Sequence, residues 1–163
     1  MVIKTKVFGE IEIDDSKVIT FESGIIGFPD LKKFTLLYDA EKTGGIKWLQ
    51  SLDEPAFAMP VMDPLYVKET YNPVVEDELL KPLGNLNPDE ILVLVTVTVP
   101  KELTQMSVNL QAPIIVNAEN KTGCQIIVDG EKDEFPVKFM IYDILQKKKA
   151  DIVQLPGEEV KAA

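Results

Sequence analysis

The stretch of residues 91–117 constrains the fold of this chain more than any other segment. All five residues of the run 91–95 are apolar and three of them are branched at Cβ, which predicts a strand covered on both faces. A second apolar run ends at Asn117, and Pro113 interrupts it. Proline cannot donate a hydrogen bond to a strand ladder. We therefore expect two adjacent core strands, with a bend or an opening at Pro113.

The rest of the chain predicts roughly eight or more short β segments between turns rich in proline and glycine. One short helix is predicted over residues 76–81, with acidic residues in its first turn and Pro82 after it. Residues 135–142 fit a last strand or a short helix equally well. The predicted fold class is mainly β, a small single-domain β-barrel-like or sandwich fold with one or two short helices.

The predicted domain covers residues 1–150, and residues 151–163 are expected to form a flexible acidic tail. The lysine run at residues 147–149 lacks a core face and is expected to be mobile as well. Near the other end, residues 23–29 contain two glycines and a proline, which predict a tight turn. Its apolar residues are expected to plug one end of the core; they are Ile25, Ile26 and Phe28.

The charge inventory excludes several kinds of chemistry. The chain has a net charge of −10, and its 17 basic residues are all lysine because it contains neither histidine nor arginine. Nucleophiles activated by histidine and zinc sites with histidine ligands are therefore excluded. An acidic surface repels nucleic acid, so we expect no direct nucleic-acid partner, and it favours encounter with a basic protein.

Location and cofactors follow from the same inventory. Cys124 is the only cysteine, and the N-terminus has no apolar leader, so we expect a cytoplasmic protein. No apolar run is long enough to predict a membrane helix, and we expect no membrane partner. We also expect no metal and no cofactor.

Four segments, in their order and spacing, resemble the FliW family of flagellar assembly factors. They are Gly-Ile-Ile-Gly-Phe at residues 24–28, Trp-Leu-Gln-Ser at 48–51, Asn-Leu-Gln-Ala-Pro-Ile-Ile-Val-Asn at 109–117, and Gly-Cys-Gln-Ile-Ile at 123–127. The last two segments together are the most specific. The resemblance covers about residues 2–145.

The resemblance implies a cytoplasmic, non-enzymatic protein with a small β-barrel-like fold and two alternative partners, flagellin and the RNA-binding translational regulator CsrA. It implies that the protein free of flagellin binds CsrA and antagonises its repression of flagellin mRNA. Whether the acidic residues would imitate RNA or act on CsrA from a neighbouring site stays open.

Two sets of candidate binding residues follow. The family segment contributes Asn109, Gln111, Pro113 and Asn117, which we expect to line or brace an opening at the Pro113 break; the alternative is a purely architectural role. The acidic patches contribute Asp53, Glu54, Glu76, Asp77, Glu78, Glu131, Asp133 and Glu134.

Two other functions compete with the one that the resemblance implies. A small-ligand-binding β-barrel would hold an apolar ligand in its lumen. A carboxylate-dependent hydrolase would need only two suitably placed acidic residues, and a chain with 27 acidic residues contains such pairs by chance.

Overall fold

The computed structural model describes residues 1–6, 8–37, 45–128 and 134–153. These residues form β1 (Val2–Thr5), β2 (Gly9–Glu12), β3 (Ile19–Thr20), β4 (Lys33–Leu37), β5 (Lys47–Ser51), β6 (Ala58–Met62), β7 (Ile91–Thr98), β8 (Ser107–Val108), β9 (Ile114–Asn117), β10 (Thr122–Gln125), β11 (Phe139–Met140) and α1 (Tyr142–Val153). Short 3₁₀ helices lie at Asp15–Lys17, Pro64–Tyr66, Asp77–Leu83, Pro88–Glu90 and Leu103–Gln105.

Seven of the strands close into a barrel. The order runs β7-β6-β5-β4-β3-β10-β9, and β9 pairs back onto β7. All neighbours in this ring are antiparallel except β3 and β10, which are parallel. β8 and β11 extend one edge, and β1 and β2 form a separate hairpin. The mainly β, barrel-like fold predicted from the sequence is confirmed.

Strand alternation produces two apolar layers, one on each face of the barrel wall. One face of the strands fills the interior, and its largest buried side chains include Phe21, Phe34 and Leu49. The other face is covered by the segments between β6 and β7, by the bend before β9 and by α1; it includes Met62 and Val95. The residues of β7 are apolar on both faces because each face of this strand belongs to one of the two layers.

The predicted pairing of two core strands is confirmed, and the break at Pro113 takes the form of a three-residue register shift. Val97 pairs with Val108, whereas Leu94 pairs with Ile114. An advance of three residues along β7 therefore corresponds to six residues along the segment that contains β8 and β9. The extra residues bulge out between β8 and β9. Pro113 lies in the bulge, where its nitrogen is not required to donate a hydrogen bond to β7.

The helical segments differ from the predictions in detail. The predicted short helix exists as the 3₁₀ helix Asp77–Leu83, which contains Pro82 instead of ending before it. The open choice at residues 135–142 resolves into β11, followed by the start of α1. The lysine run at residues 147–149, expected to be mobile, lies within α1.

α1 also takes in the first three residues of the predicted tail, and residues 154–163 lie outside the described part of the chain. Within the described ranges, every helix is too short or too polar to traverse a lipid bilayer.

Candidate functional site

The barrel has one weakly paired seam, between β3 and β10. Only Thr20 and Thr122 are registered as partners across it, whereas β10 is registered with β9 at four positions. A groove of about 560 Å³ opens at this seam. We call it the seam groove; it is lined by Glu22, Ser23, Gly24, Ile25, Ile26, Gly27, Pro29, Leu79, Pro82, Gly123, Cys124, Gln125, Ile126 and Ile127.

The first wall of the seam groove is the turn at residues 24–28. Gly24 has φ +69°, and a Cβ there would lie 2.6 Å from the carbonyl oxygen of Phe28, so only glycine fits. Ile25 and Phe28 exchange backbone hydrogen bonds, which closes the turn on itself. Ile25 is buried as predicted, but Ile26 is exposed, and Phe28 is partly exposed while its ring packs 4.6 Å from the ring of Phe57. The prediction that all three apolar residues plug the core was wrong for Ile26 and in part for Phe28.

The second wall is β10 and the residues that follow it. Gly123 lies under the ring of Phe21, and a Cβ there would come within 2.6 Å of that ring. The side chain of Gln125 bridges the two walls, because its Oε1 accepts a hydrogen bond from the N–H of Ile26 (2.9 Å) and its Nε2 donates to the carbonyl of Ala112 (3.0 Å). One amide side chain therefore joins the turn, β10 and the bulge before β9.

The 3₁₀ helix Asp77–Leu83 forms the rim, and Asn117 holds it in place. The buried Asn117 donates through Nδ2 to the carbonyls of Leu83 (2.9 Å) and Asn85 (3.1 Å), and its Oδ1 accepts from the N–H of Glu119. Buried amides with several satisfied partners fix local geometry. Asn117 is thus inaccessible to a partner and acts on the seam groove through the position of the rim helix.

The other residues of the family segment shape the bulge. Oδ1 of Asn109 accepts hydrogen bonds from the N–H groups of Gln111 (3.0 Å) and Ala112 (3.2 Å), which is the geometry of an Asx turn. Pro113 is buried, and the side chain of Gln111 is half-buried. The structure therefore assigns Asn109, Pro113 and Asn117 to architecture that supports the seam groove, and whether these residues affect partner binding stays a prediction.

The acidic candidates are spread over the surface. Glu76, Asp77 and Glu78 are exposed on the rim helix, where Glu78 forms an exposed ion pair of 3.0 Å with Lys81. Another acidic candidate accepts hydrogen bonds from backbone groups. Asp53 accepts hydrogen bonds through Oδ2 from the N–H groups of two successive lysines, at 2.7 and 2.9 Å.

The remaining acidic candidates lie elsewhere. Glu54 is exposed, and its Oε1 accepts from the N–H of Ala56 at 3.4 Å. Glu134 is exposed too, while Glu131 and Asp133 lie outside the described residues. Among the described acidic candidates, those at the rim helix lie next to residues of the groove lining, because Leu79 and Pro82 of the same helix belong to it.

The titratable groups near the seam groove suit binding more than chemistry. Burial raises the pKa of the Cys124 thiol, which keeps it protonated near neutral pH and hence a poor nucleophile. In the described ranges, no group of three or more Cys, Asp or Glu side chains is placed to hold a metal ion. What the site offers is an apolar surface with a few fixed polar groups, the usual composition of a recognition site.

Three residues of the seam groove are apolar and exposed, and their exposure was not predicted from the sequence. Ile26 is 52% exposed, Leu79 is 41% exposed and Ile127 is 58% exposed. The available clue was that Ile26 precedes Gly27, since a turn that contains glycine can direct a neighbouring side chain outward. The proximity of the three residues could not be seen, because they come from segments about 50 and 100 residues apart in sequence.

The fold and the groove together define a class, that of small β-barrel domains that carry an apolar groove at an open seam. Comparison with known proteins identifies the member of that class. The family model described as "FliW protein" matches residues 2–141, and the chain belongs to the FliW family.

Individual relatives agree. The chain is 54% identical to the flagellar assembly factor FliW of Lachnospira eligens, over 91% of this chain and 99% of the relative. It is 49% identical to that of Lachnoclostridium phytofermentans, over 91% of this chain and 95% of the relative. A crystal structure of the flagellar assembly factor FliW superimposes with a TM-score of 0.78 and 30% identity, over 86% of this chain and 96% of that one.

Proposed function

We propose that this chain is a cytoplasmic, non-enzymatic flagellar assembly factor that binds newly made flagellin. When free of flagellin, it binds and antagonises the translational regulator CsrA, which relieves repression of flagellin mRNA translation. The two partners compete, so the level of free flagellin sets the level of free CsrA. Membership of the FliW family supports this proposal.

The observation that carries the proposal is the convergence of three family segments on the seam groove. The turn at residues 24–28 and the strand at 123–127 form its walls, and the segment at 109–117 supports both the wall and the rim. These segments do more than fill the core, since they leave apolar side chains exposed at one place. Exposed apolar patches bordered by polar residues are typical of protein-binding surfaces.

Charge supports CsrA as one of the two partners. A chain with a net charge of −10 and no arginine is suited to approach a protein whose RNA-binding surfaces are basic. The exposed carboxylates of the rim helix place part of this charge beside the apolar groove. The acidic residues then accelerate the encounter, and the apolar contacts hold the complex.

The two competing functions receive less support. The interior of the barrel is filled by side chains such as Phe21, Phe34, Leu49, Leu94 and Ile114, which occupy the space that a luminal ligand would need. For a hydrolase, an acidic pair with perturbed pKa values in a cleft would be expected. The shift resolved for a carboxylate among the described residues is the lowered pKa of Asp14, whose main cause is a hydrogen bond from Ser16 on the exposed surface.

Isothermal titration calorimetry tests the proposal with purified flagellin and purified CsrA, first separately and then in competition. We expect binding to each and displacement of CsrA by flagellin. The absence of heat with both partners refutes the proposal, and simultaneous binding without competition refutes the switch.

Charge reversal then identifies which acidic patch contacts CsrA. The variant with Glu76, Asp77 and Glu78 changed to lysine should associate with CsrA more slowly, and the difference should shrink as salt screens charges over a Debye length of about 8 Å. The matched control changes Glu10, Glu12 and Asp15 to lysine, three exposed carboxylates that are not among the candidates. Asp53 is unsuitable for this comparison, because its carboxylate also holds two backbone N–H groups.

A further inference from the structure

The seam groove exposes a free strand edge. The N–H groups of Ile126 and Val128 donate to the carbonyls of Pro113 (3.1 Å) and Gln111 (2.8 Å), on the β9 side. Because successive backbone groups of a strand point to opposite edges, those of Gln125 and Ile127 point to the other side. That side is the seam, where the registered pairing with β3 stops at Thr122.

The opposite wall does not use this edge. The turn at residues 24–28 is closed by two backbone hydrogen bonds between Ile25 and Phe28. Among the described residues, the turn is hydrogen-bonded to β10 through the N–H of Ile26 and the side chain of Gln125. Within the described residues, no backbone group is recorded as a partner for the N–H of Ile127. An unpaired edge of this kind is a template for one more strand.

The side chains around the free edge define what such a strand must carry. Ile26, Leu79 and Ile127 are exposed, so the inward residues of the strand must be apolar. Glu22 lies in the groove lining, and Glu76, Asp77 and Glu78 lie on or beside the rim helix. Lysine or arginine at the ends of the strand would complement these carboxylates.

We propose that the seam groove is a docking site for an extended, apolar polypeptide segment with basic flanks, which a partner protein adds as a strand to the free edge of β10. Main-chain hydrogen bonds to Gln125 and Ile127 provide the register, and the exposed apolar residues select the side chains. The inference rests on the proposed function for the identity of the partner, but the docking surface can be tested without it.

The direct probe is a synthetic peptide, acetyl-Lys-Thr-Val-Ile-Val-Thr-Lys-amide, followed by nuclear magnetic resonance. We expect its addition to slow hydrogen exchange of the amides of Gln125 and Ile127 by at least about fivefold, because both become covered. Two N-methylated versions, each blocking one edge of the peptide, should differ, with one retaining binding and the other losing it. No binding at roughly 1 mM, unchanged exchange at the two amides, or equal binding of the two methylated versions overturns the proposal.

A matched pair of variants tests the apolar contact. Ile127→Asp places a charge in the groove and should weaken binding of the peptide at least about tenfold. Leu103→Asp is the control, because Leu103 is 51% exposed and lies outside the groove lining. Equal weakening by both substitutions, or by neither, contradicts the proposed site.

The same variants, titrated with flagellin and with CsrA, separate this inference from the proposed function. If both partners bind the native chain and at least one of them loses affinity with Ile127→Asp but not with Leu103→Asp, both the proposed function and the docking surface stand. If a partner binds both variants as tightly as the native chain, the proposed function stands and docking in the groove is wrong for that partner. If neither partner binds while the peptide does, the proposed function is wrong and the docking surface stands.

Discussion

The two sides of the barrel are built differently. On one side, β4, β5 and β6 pair over four registered positions at each boundary, and Leu49 in the middle strand is fully buried. On the other side, β3 and β10 share one registered pair, and the gap beyond it is bridged by the side chain of Gln125. The first side closes the barrel by a continuous ladder, and the second leaves a groove.

The difference shows how one small domain can be stable and still present the proposed binding surface. Strands with all backbone groups paired and both faces covered contribute most of the free energy of folding. A strand with one free edge contributes less, but it offers backbone groups and apolar side chains to a partner. Three of the four FliW segments lie on the second side, and the fourth, at residues 48–51, lies in β5 on the closed side. On the second side, amide side chains of these segments fix the backbone by hydrogen bonds where the ladder is interrupted.

The largest expected effect comes from the closed side. Leu49→Ala should lower the free energy of unfolding by about 2–5 kcal/mol, because it leaves a cavity in the barrel interior. Ile127→Ala, in the seam groove, should change it by less than about 0.5 kcal/mol, because Ile127 is exposed. Chemical denaturation of both variants measures the difference. Comparable losses would mean that Ile127 is as much a part of the core as Leu49.

The second effect concerns the rim of the seam groove. Asn117→Ala should cost about 1–3 kcal/mol, since it removes the buried donor that two carbonyls share. Asn120→Ala is the control, because Asn120 donates to the same carbonyl of Leu83 (2.8 Å) from an exposed position, and its loss should cost less than about 1 kcal/mol. If the two variants unfold at the same midpoint, the burial of Asn117 adds nothing to the free energy of unfolding.

The pairing of β7 with β9 could be predicted from the sequence, and the seam between β3 and β10 could not. The branched apolar run in β7 and the proline at position 113 indicated two paired strands and a break, because both effects depend on local chemistry. The parallel contact of Thr20 with Thr122 brings together residues about 100 positions apart, and no local pattern specifies it.

The same limit explains the apolar residues that were misplaced or missed. The sequence shows that residues 24–28 form a turn, but only the tertiary structure decides that Ile25 points into the barrel and Ile26 points out of it. Asn109 and Asn117 differ in how much of their role depends on local sequence. The capping geometry is local at Asn109 and corresponds to the architectural alternative, whereas at Asn117 it reaches residues more than 30 positions away.

The third effect is at the bridge across the seam. Gln125→Ala should lower the free energy of unfolding by about 1 kcal/mol, which is the typical loss for hydrogen bonds of this kind. The more specific result is faster hydrogen exchange at the amide of Ile26, which loses its acceptor. Gln105→Ala, at an exposed position in a 3₁₀ helix, should change neither quantity measurably. Unchanged exchange at Ile26 in Gln125→Ala would show that the turn holds its position without the bridge.

The smallest effect is confined to alkaline pH and involves Cys124, whose thiol lies in the wall of the seam groove. Burial raises the pKa of this thiol in the folded chain above its ordinary value of about 8.5, so the unfolded chain loses the proton first as the pH rises. The stability that protonation provides is therefore fully present below about pH 8 and decreases above it, by at most about 1.4 kcal/mol per pH unit.

The control is Cys124→Ser, which does not titrate in this range. Burial also raises the pKa of Tyr71, to about 12, but this contribution is common to both proteins and cancels in the comparison. We expect the difference between their free energies of unfolding to be constant from pH 6 to about pH 8 and to turn against the native chain above it. A difference that stays constant to about pH 10 would mean that the thiol is as well hydrated in the folded chain as in the unfolded one, and hence that the seam is more open than the groove geometry shows.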